Sequence, residues 1–245
     1  MRLQKFLALQ TVNSRRKAEE LIASGIVSIN GNVAQLGDVV DPEHDIVAVD
    51  GITVSSYVAA HPTSPIIIAL NKPAGYVCSH ADKYNSHTIF QLLPSSLLKH
   101  KLMFCGRLDK STEGILLLTN DGQIAQHITH PSFGIKKHYE AILSRPLSEN
   151  IKKVLLKGIT DDGEFLKFEK LIPIGKGNRK QQVFEIILTQ GKKNEIHRVF
   201  EHFGIFVDAL RRTKIGPVSV KGIGIGKYRQ LSKEECERLL KPICE

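Results

Sequence analysis

The chain has 245 residues, of which 42% are apolar and 24% charged, and its net charge is +9. That length suits one large domain or a core plus a small module, and the composition is that of an ordinary globular protein. No apolar run approaches the ~18 residues of a membrane-spanning helix, and MRLQKFLALQ lacks the apolar block and cleavage site of a secretory leader.

The charge is uneven. Residues 1–60 hold five basic and seven acidic residues, and the remainder holds 29 basic and 18 acidic. A basic excess of this kind points to a polyanionic partner. Ser14 predicts the cap of a helix, SRRKAEELIASG, with Ala18, Leu21 and Ile22 on one apolar face and Gly25 at its end. Arg15, Arg16 and Lys17 crowd the first turn, where the helix dipole prefers acids. That arrangement makes sense if the three groups meet phosphate. Asn30-Gly31 then signals a type I′ hairpin within Ile26 to Val33. These three segments, MRLQKFL, SRRKAEELI and GIVSINGNVA, resemble the small RNA-binding module first described in a ribosomal small-subunit protein. The likeness covers about residues 1–50.

Residues 52–65, ITVSSYVAAHPTSP, read as a linker. A buried strand is predicted at Ile66–Leu70 and is ended by Asn71-Lys72-Pro73-Ala74-Gly75. A second apolar run, Leu102 to Cys105, leads into Gly106-Arg107-Leu108-Asp109. The polar stretch Asp109 to Gly114 breaks any strand, and Ile115 to Leu118 resumes as a buried one until Asn120-Asp121-Gly122. Asp109 therefore sits on a loop between two core strands, where a rigid scaffold presents reactive groups. In isolation it would read as a turn residue. Further on, helices are predicted at 121–129, 148–157 and 193–203, and strands at 139–143 and 183–189. Ile196, Val199, Phe200 and Phe203 share one face of the 193–203 helix, which Gly204 closes. Strands and helices do not alternate as in a nucleotide-binding fold, so an α+β architecture is expected.

The segment GRLDKSTEGILLLTNDG, with NKPAGYVCS before it, resembles the pseudouridine synthases, and most of all the RsuA-type enzymes that modify single ribosomal RNA uridines. The resemblance implies an N-terminal RNA-binding module over residues 1–60. It implies a catalytic domain over 61–245, with a mixed, mainly antiparallel sheet flanked by helices. It implies isomerisation of uridine to pseudouridine, a reaction that adds no atom and needs no cofactor or metal. Asp109 would be the catalytic carboxylate, with Arg107 at the substrate. Tyr139, in KKHYEA, would stack on the uracil, and Leu210, in ALRRTKIGPVSV, would wall the base pocket. A carboxylate in a desolvated cleft needs a cationic partner to stay ionised. In Glu195-Ile196-His197-Arg198, His197 stands where the family's first basic residue is usual. The partner of Asp109 is open between His197 and Arg198, and Arg198 is preferred because arginine stays charged and pairs bidentately.

Contacts to RNA are expected from Arg2, Lys5, Arg15, Arg16, Lys17, Lys192, Lys193, Arg211 and Arg212. Residues 176–229 hold twelve basic and four acidic residues. The expected partner is ribosomal RNA or a pre-ribosomal particle, met by a cytoplasmic monomer away from membranes. GYVCS leans toward small-subunit rRNA, with large-subunit rRNA a close second. Two other readings remain. A non-catalytic ribosome-binding protein would use the first 50 residues but leave 66–230 unexplained. An aspartate-nucleophile hydrolase would need a second carboxylate, for which Glu113 and Asp121 are candidates by proximity alone. The cysteines form no Cys-x-x-Cys pair, so reduced thiols are expected. His127 and His130 have a metal-compatible spacing without a supporting ligand frame, and read as helix-surface residues.

Overall fold

The computed structural model describes residues 1–10, 14–54, 65–80, 82, 84–85, 87–179 and 181–241. The chain divides into two compact units, residues 1–64 and 65–245. In the first, α1 (Leu3–Gln10) and α2 (Arg15–Ala23) precede four short strands, β1 (Val27–Ile29), β2 (Asn32–Val33), β3 (Val47–Val49) and β4 (Ile52–Val54). The strands form an antiparallel sheet in the order β2-β1-β3-β4. Ser14 caps α2 by accepting the Lys17 N–H at 3.3 Å. Ala18 and Ile22 of its apolar face are buried with Leu3, Phe6, Leu7, Val27 and Val47. Asn30 and Gly31 both take positive φ, 51° and 83°, as a type I′ turn requires. Ile52–Val54, the first residues of the stretch read as linker, are strand β4; residues 55–64 lie outside the described residues.

The second unit opens with β5 (Ile67–Lys72), α3 (Ser95–Leu98), β6 (Met103–Cys105) and β7 (Glu113–Thr119). There follow α4 (Gly122–Thr129), β8 (Lys137–Leu143), α5 (Glu149–Lys157), β9 (Ile159–Asp161), β10 (Glu164–Leu166) and β11 (Lys170–Pro173). The chain then forms β12 (Val183–Leu188), α6 (Glu195–Glu201), β13 (Val207–Ile215), β14 (Val218–Ser219), β15 (Tyr228–Gln230) and α7 (Lys233–Leu240). The main sheet runs β11-β12-β8-β13-β7-β5-β15, with β14 on β13 and β6 on β7. All its pairings are antiparallel except β13 with β7. It is the mixed, mainly antiparallel sheet flanked by helices that was expected.

The central strands are buried on both faces, which explains their unbroken apolar runs. On β7, Leu116 and Leu118 face one core, with Phe168, Val199 and Phe200. Ile115 and Leu117 face a second core with Ile128 of α4 and Leu239 of α7. Toward the β11 edge the strands alternate. Tyr139, Ala141 and Leu143 of β8 enter the first core, while Glu140 is exposed on the other face.

Two expected boundaries shift. Asn71 and Lys72 continue β5 because both side chains are buried and Lys72 pairs with Gly114 across the ladder. Glu113 and Gly114 belong to β7 and do not interrupt it. Gly114 has φ 108°, and a Cβ there would lie 2.1 Å from the Arg212 carbonyl oxygen. Only glycine lets β7 and β13 approach this closely.

Candidate active site

Asp109 lies on the loop between β6 and β7, and the loop is held from beneath by a cation. Lys72 is fully buried at the end of β5. Its ammonium donates to the carbonyl oxygens of Thr112 (2.7 Å), Asp109 (3.0 Å), Pro73 (3.1 Å) and Lys110 (3.4 Å). The Gly75 N–H donates to Lys110 O at 2.8 Å, and Thr112 N–H closes a turn onto Asp109 O at 3.1 Å. Burial lowers the Lys72 pKa from its ordinary value, and the nearby Cys78 and Asp109 oppose that shift. The loop backbone is thus bound to the sheet while the Asp109 side chain is left exposed.

Asp109 stands at a shallow cleft open to solvent. Arg107, Leu108 and Thr112 line it from the same loop, Tyr139 from β8, Leu210 from β13, and Lys192, Asn194, Glu195 and His197 from the start of α6. Tyr139 and Leu210 are mostly buried and give the cleft apolar walls. Arg212, 3% exposed, lies behind Tyr139. Its Nε donates to Ile115 O at 2.8 Å and an Nη lies 3.4 Å from the Tyr139 hydroxyl, with the guanidinium 5.9 Å from the ring centre. The other Nη is buried without a partner. Lys137, two residues before Tyr139, is also buried. It donates to Thr189 O at 2.9 Å, and burial pushes its pKa down to about 8.

The loop into α6 supplies a group in contact with the carboxylate. With its amide nitrogen turned toward the two acceptor oxygens, Asn194 donates to Asp109 Oδ1 at 2.8 Å and Oδ2 at 3.0 Å. Glu195 is buried, and its carboxylate accepts the Lys192 N–H at 3.0 Å. Burial raises its pKa above the ordinary carboxylate value. Among the described residues no group of three or more His, Cys, Asp or Glu is placed to hold a metal ion.

Residues 66–202 match the family model described as RNA pseudouridylate synthase, more than half of the chain. The chain belongs to this family. Residues 1–47 match the S4 domain model. The chain is 34% identical over 248 aligned positions to a protein named ribosomal large subunit pseudouridine synthase B of Pseudomonas aeruginosa, covering 99% of this chain and 64% of that one. The chain therefore spans about 64% of that relative's length. It is 36% identical to an uncharacterized RNA pseudouridine synthase of Aquifex aeolicus, covering 99% and 95% of the two. A solved pseudouridylate synthase superposes with a TM-score of 0.69 at 31% identity, covering 98% of this chain and 99% of that one.

Within this family member, the structure gathers Asp109, Arg107, Tyr139, Leu210 and Lys192 at one cleft and leaves Arg198 out of it. Arg198 Nε donates to Asp161 Oδ2 at 2.7 Å, its Nη atoms to Glu164 Oε2 at 2.5 Å and Asp161 O at 2.8 Å. The preferred pairing of Arg198 with Asp109 is thus corrected, because two carboxylates of the β9–β10 hairpin hold the guanidinium. His197 does line the cleft, but among the described residues no basic group makes an ion pair with Asp109. Arg212 is also corrected. It is buried and bonded to Ile115 O, so its guanidinium does not face RNA at the surface. Arg211, on the opposite face of β13, lines a separate groove with Glu140, Glu185, Lys214 and Lys221. In the N-terminal unit Arg2, Lys5, Arg15, Arg16 and Lys17 are exposed; Arg2 donates to Gly37 O, and Lys17 pairs with Glu20 at 2.9 Å. Lys193 is exposed. His127 lies in α4's last turn and His130 at its C-cap, and both pack on Phe133.

Sequence reasoning missed Lys72 and Asn194. Lysine at the end of an apolar run reads as the end of a strand, and asparagine before a helix reads as its cap.

Proposed function

We propose that the chain isomerises a single uridine to pseudouridine in ribosomal RNA, with Asp109 as the reacting carboxylate. One observation carries this reading: a carboxylate on an anchored loop, at a cleft walled by a tyrosine and a leucine. The reaction breaks the bond from ribose C1′ to uracil N1 and forms one from C1′ to C5. N1 gains a proton and C5 releases one to water. Positive charge developing at C1′ is stabilised by a fixed negative group beside it, and Asp109 is such a group. The target base must leave its stack to reach the site. The Tyr139 ring and the Leu210 side chain then hold it through its flat faces, a contact worth about 1–3 kcal/mol for an aromatic ring. Arg107 and Lys193, both exposed, would meet backbone phosphates, while the Lys192 ammonium donates to Phe165 O at 2.9 Å; α2 of the N-terminal unit would offer a second basic surface.

Large-subunit rRNA is the better-supported substrate. The Pseudomonas aeruginosa and Vibrio vulnificus relatives carry large-subunit names. Nothing beside the GYVCS segment speaks for the small subunit. A non-catalytic ribosome-binding protein would use the N-terminal unit and leave the Lys72-anchored loop without a purpose.

The test is tritium release from unmodified rRNA labelled at uracil C5. One equivalent released per large-subunit rRNA molecule is expected. Release from small-subunit rRNA alone would reverse the choice of subunit. Release from neither would end the synthase reading.

A further inference from the structure

We propose that Asn194 is the positioning residue for Asp109, and that in this chain a neutral amide performs that task in place of a cation. The inference rests on the synthase reading above for its activity arm and on geometry alone for its structural arm. Asn194 stands at the N-cap position of α6, where asparagine ordinarily accepts an N–H from the first helical turn. Here it makes no such bond. Its backbone takes the left-handed conformation, φ 50° and ψ 27°, which is strained for any residue with a side chain, though asparagine tolerates it best. A strained residue that forgoes its local hydrogen bond marks a functional demand. The demand is visible: the left-handed turn sends the amide to both oxygens of Asp109, at 2.8 and 3.0 Å. Glu195 satisfies the loop in its stead by accepting the Lys192 N–H.

One amide nitrogen shared between both oxygens of a carboxylate fixes the rotation of that carboxylate. It does so without opposite charge, so the carboxylate keeps its whole negative charge for C1′. Several ionisable groups line the same cleft: Arg107 from its own loop, Tyr139 from β8, and Lys192, Glu195 and His197 from the α6 segment. Among the described residues none of the basic ones comes within ion-pair distance of the Asp109 carboxylate oxygens. The amide reaches both.

The test uses the full chain with Asn194→Gly, which removes the amide yet suits the left-handed backbone, and Asn194→Asp, which keeps the shape but replaces donor with acceptor. With carbon-13-labelled aspartate, NMR couplings should show one Asp109 side-chain rotamer in the wild type and averaging among rotamers in Asn194→Gly. In tritium release, the same variant should lose kcat by about 10- to 100-fold with KM within about twofold. Asn194→Asp should lose more, since two acceptors then face each other. A merely structural asparagine would lower the unfolding temperature and leave the Asp109 rotamer as it was. An unchanged Asp109 rotamer in Asn194→Gly overturns the proposal, whatever the activity. If the wild-type protein releases no tritium but the rotamer averages in the variant, the synthase reading falls and the hold of Asn194 on Asp109 stands.

Discussion

Two sets of basic residues, one in each unit, are used in opposite ways. In the N-terminal unit, Arg15, Arg16 and Lys17 stand exposed on the first turn of α2, where Lys17 pairs with Glu20. In the catalytic unit, Lys72, Lys137 and Arg212 are buried and donate to backbone carbonyls, while Arg198 is taken by Asp161 and Glu164. The first set can attract polyanions, and the second holds a scaffold in shape. A count of lysines and arginines does not separate the two uses. Which charges point at RNA depends on strand register and on which carbonyls and carboxylates lie within reach.

Substitutions of single cations should break or sharpen this contrast. The largest effect is expected from Lys72→Met. It strips four carbonyls of their shared donor, so about 3 kcal/mol of stability should go, together with nearly all tritium release. Chemical denaturation and the release assay read these two effects, and wild-type turnover in this variant would detach the loop from its anchor. Arg198→Ala comes next. If Arg198 braces the β9–β10 hairpin, turnover should fall about tenfold, and the double variant Asp161→Ala/Glu164→Ala should match it. If instead it charged Asp109 directly, Arg198→Ala would lose far more than the double variant.

An outward set should behave differently. Replacing Arg15, Arg16 and Lys17 together by alanine should raise KM about tenfold and leave kcat alone. The slope of log affinity against log salt should shrink by about 3, one for each phosphate that no longer meets a cation. An unchanged slope would remove α2 from the RNA-binding surface.

The smallest effect belongs to a cation of a third kind, Arg229, which forms a two-pronged pair with Glu235 at 2.7 Å. Its guanidinium lowers the Glu235 pKa to about 2. A depressed carboxylate adds stability above its unfolded value of 4.5, and that stability is lost as pH falls toward 2. Glu235→Gln should therefore destabilise the protein at pH 7 by less than about 1 kcal/mol, since the pair is half in solvent. The difference should fade between pH 4.5 and 2 in thermal unfolding curves. A constant difference across that range would assign the effect to helix capping, since Glu235 also accepts the Ser232 N–H.

The sequence made the fold readable where the pattern is local. Ser14, Asn30-Gly31, Asp121 and Ser148 each announce a cap or turn through their own side chains. The apolar runs of β5 and β7 announce strands buried on both faces. The strands β9 to β11 and β13 to β15 were not legible, because their residues alternate toward solvent or pair with strands far off in sequence. Val207–Ile215, for example, is fixed by β8 and β7 on either side, not by its own mixture of charged and apolar residues. The site divides the same way. Asp109, Tyr139 and Leu210, which the motifs single out, line one cleft. The partner of Asp109 was not legible, since His197-Arg198 drew attention for charge, while Asn194 reaches the carboxylate only through a left-handed backbone that sequence does not display.

Turnover by wild-type protein and Asp109→Asn, measured side by side on unmodified large-subunit rRNA labelled at uracil C5, tests the assignment most directly. The assignment predicts one equivalent of tritium from the wild type and a drop of about a thousandfold or more in the variant, with RNA affinity retained. Substantial release by Asp109→Asn would contradict it and send the search for the reacting group elsewhere in the cleft.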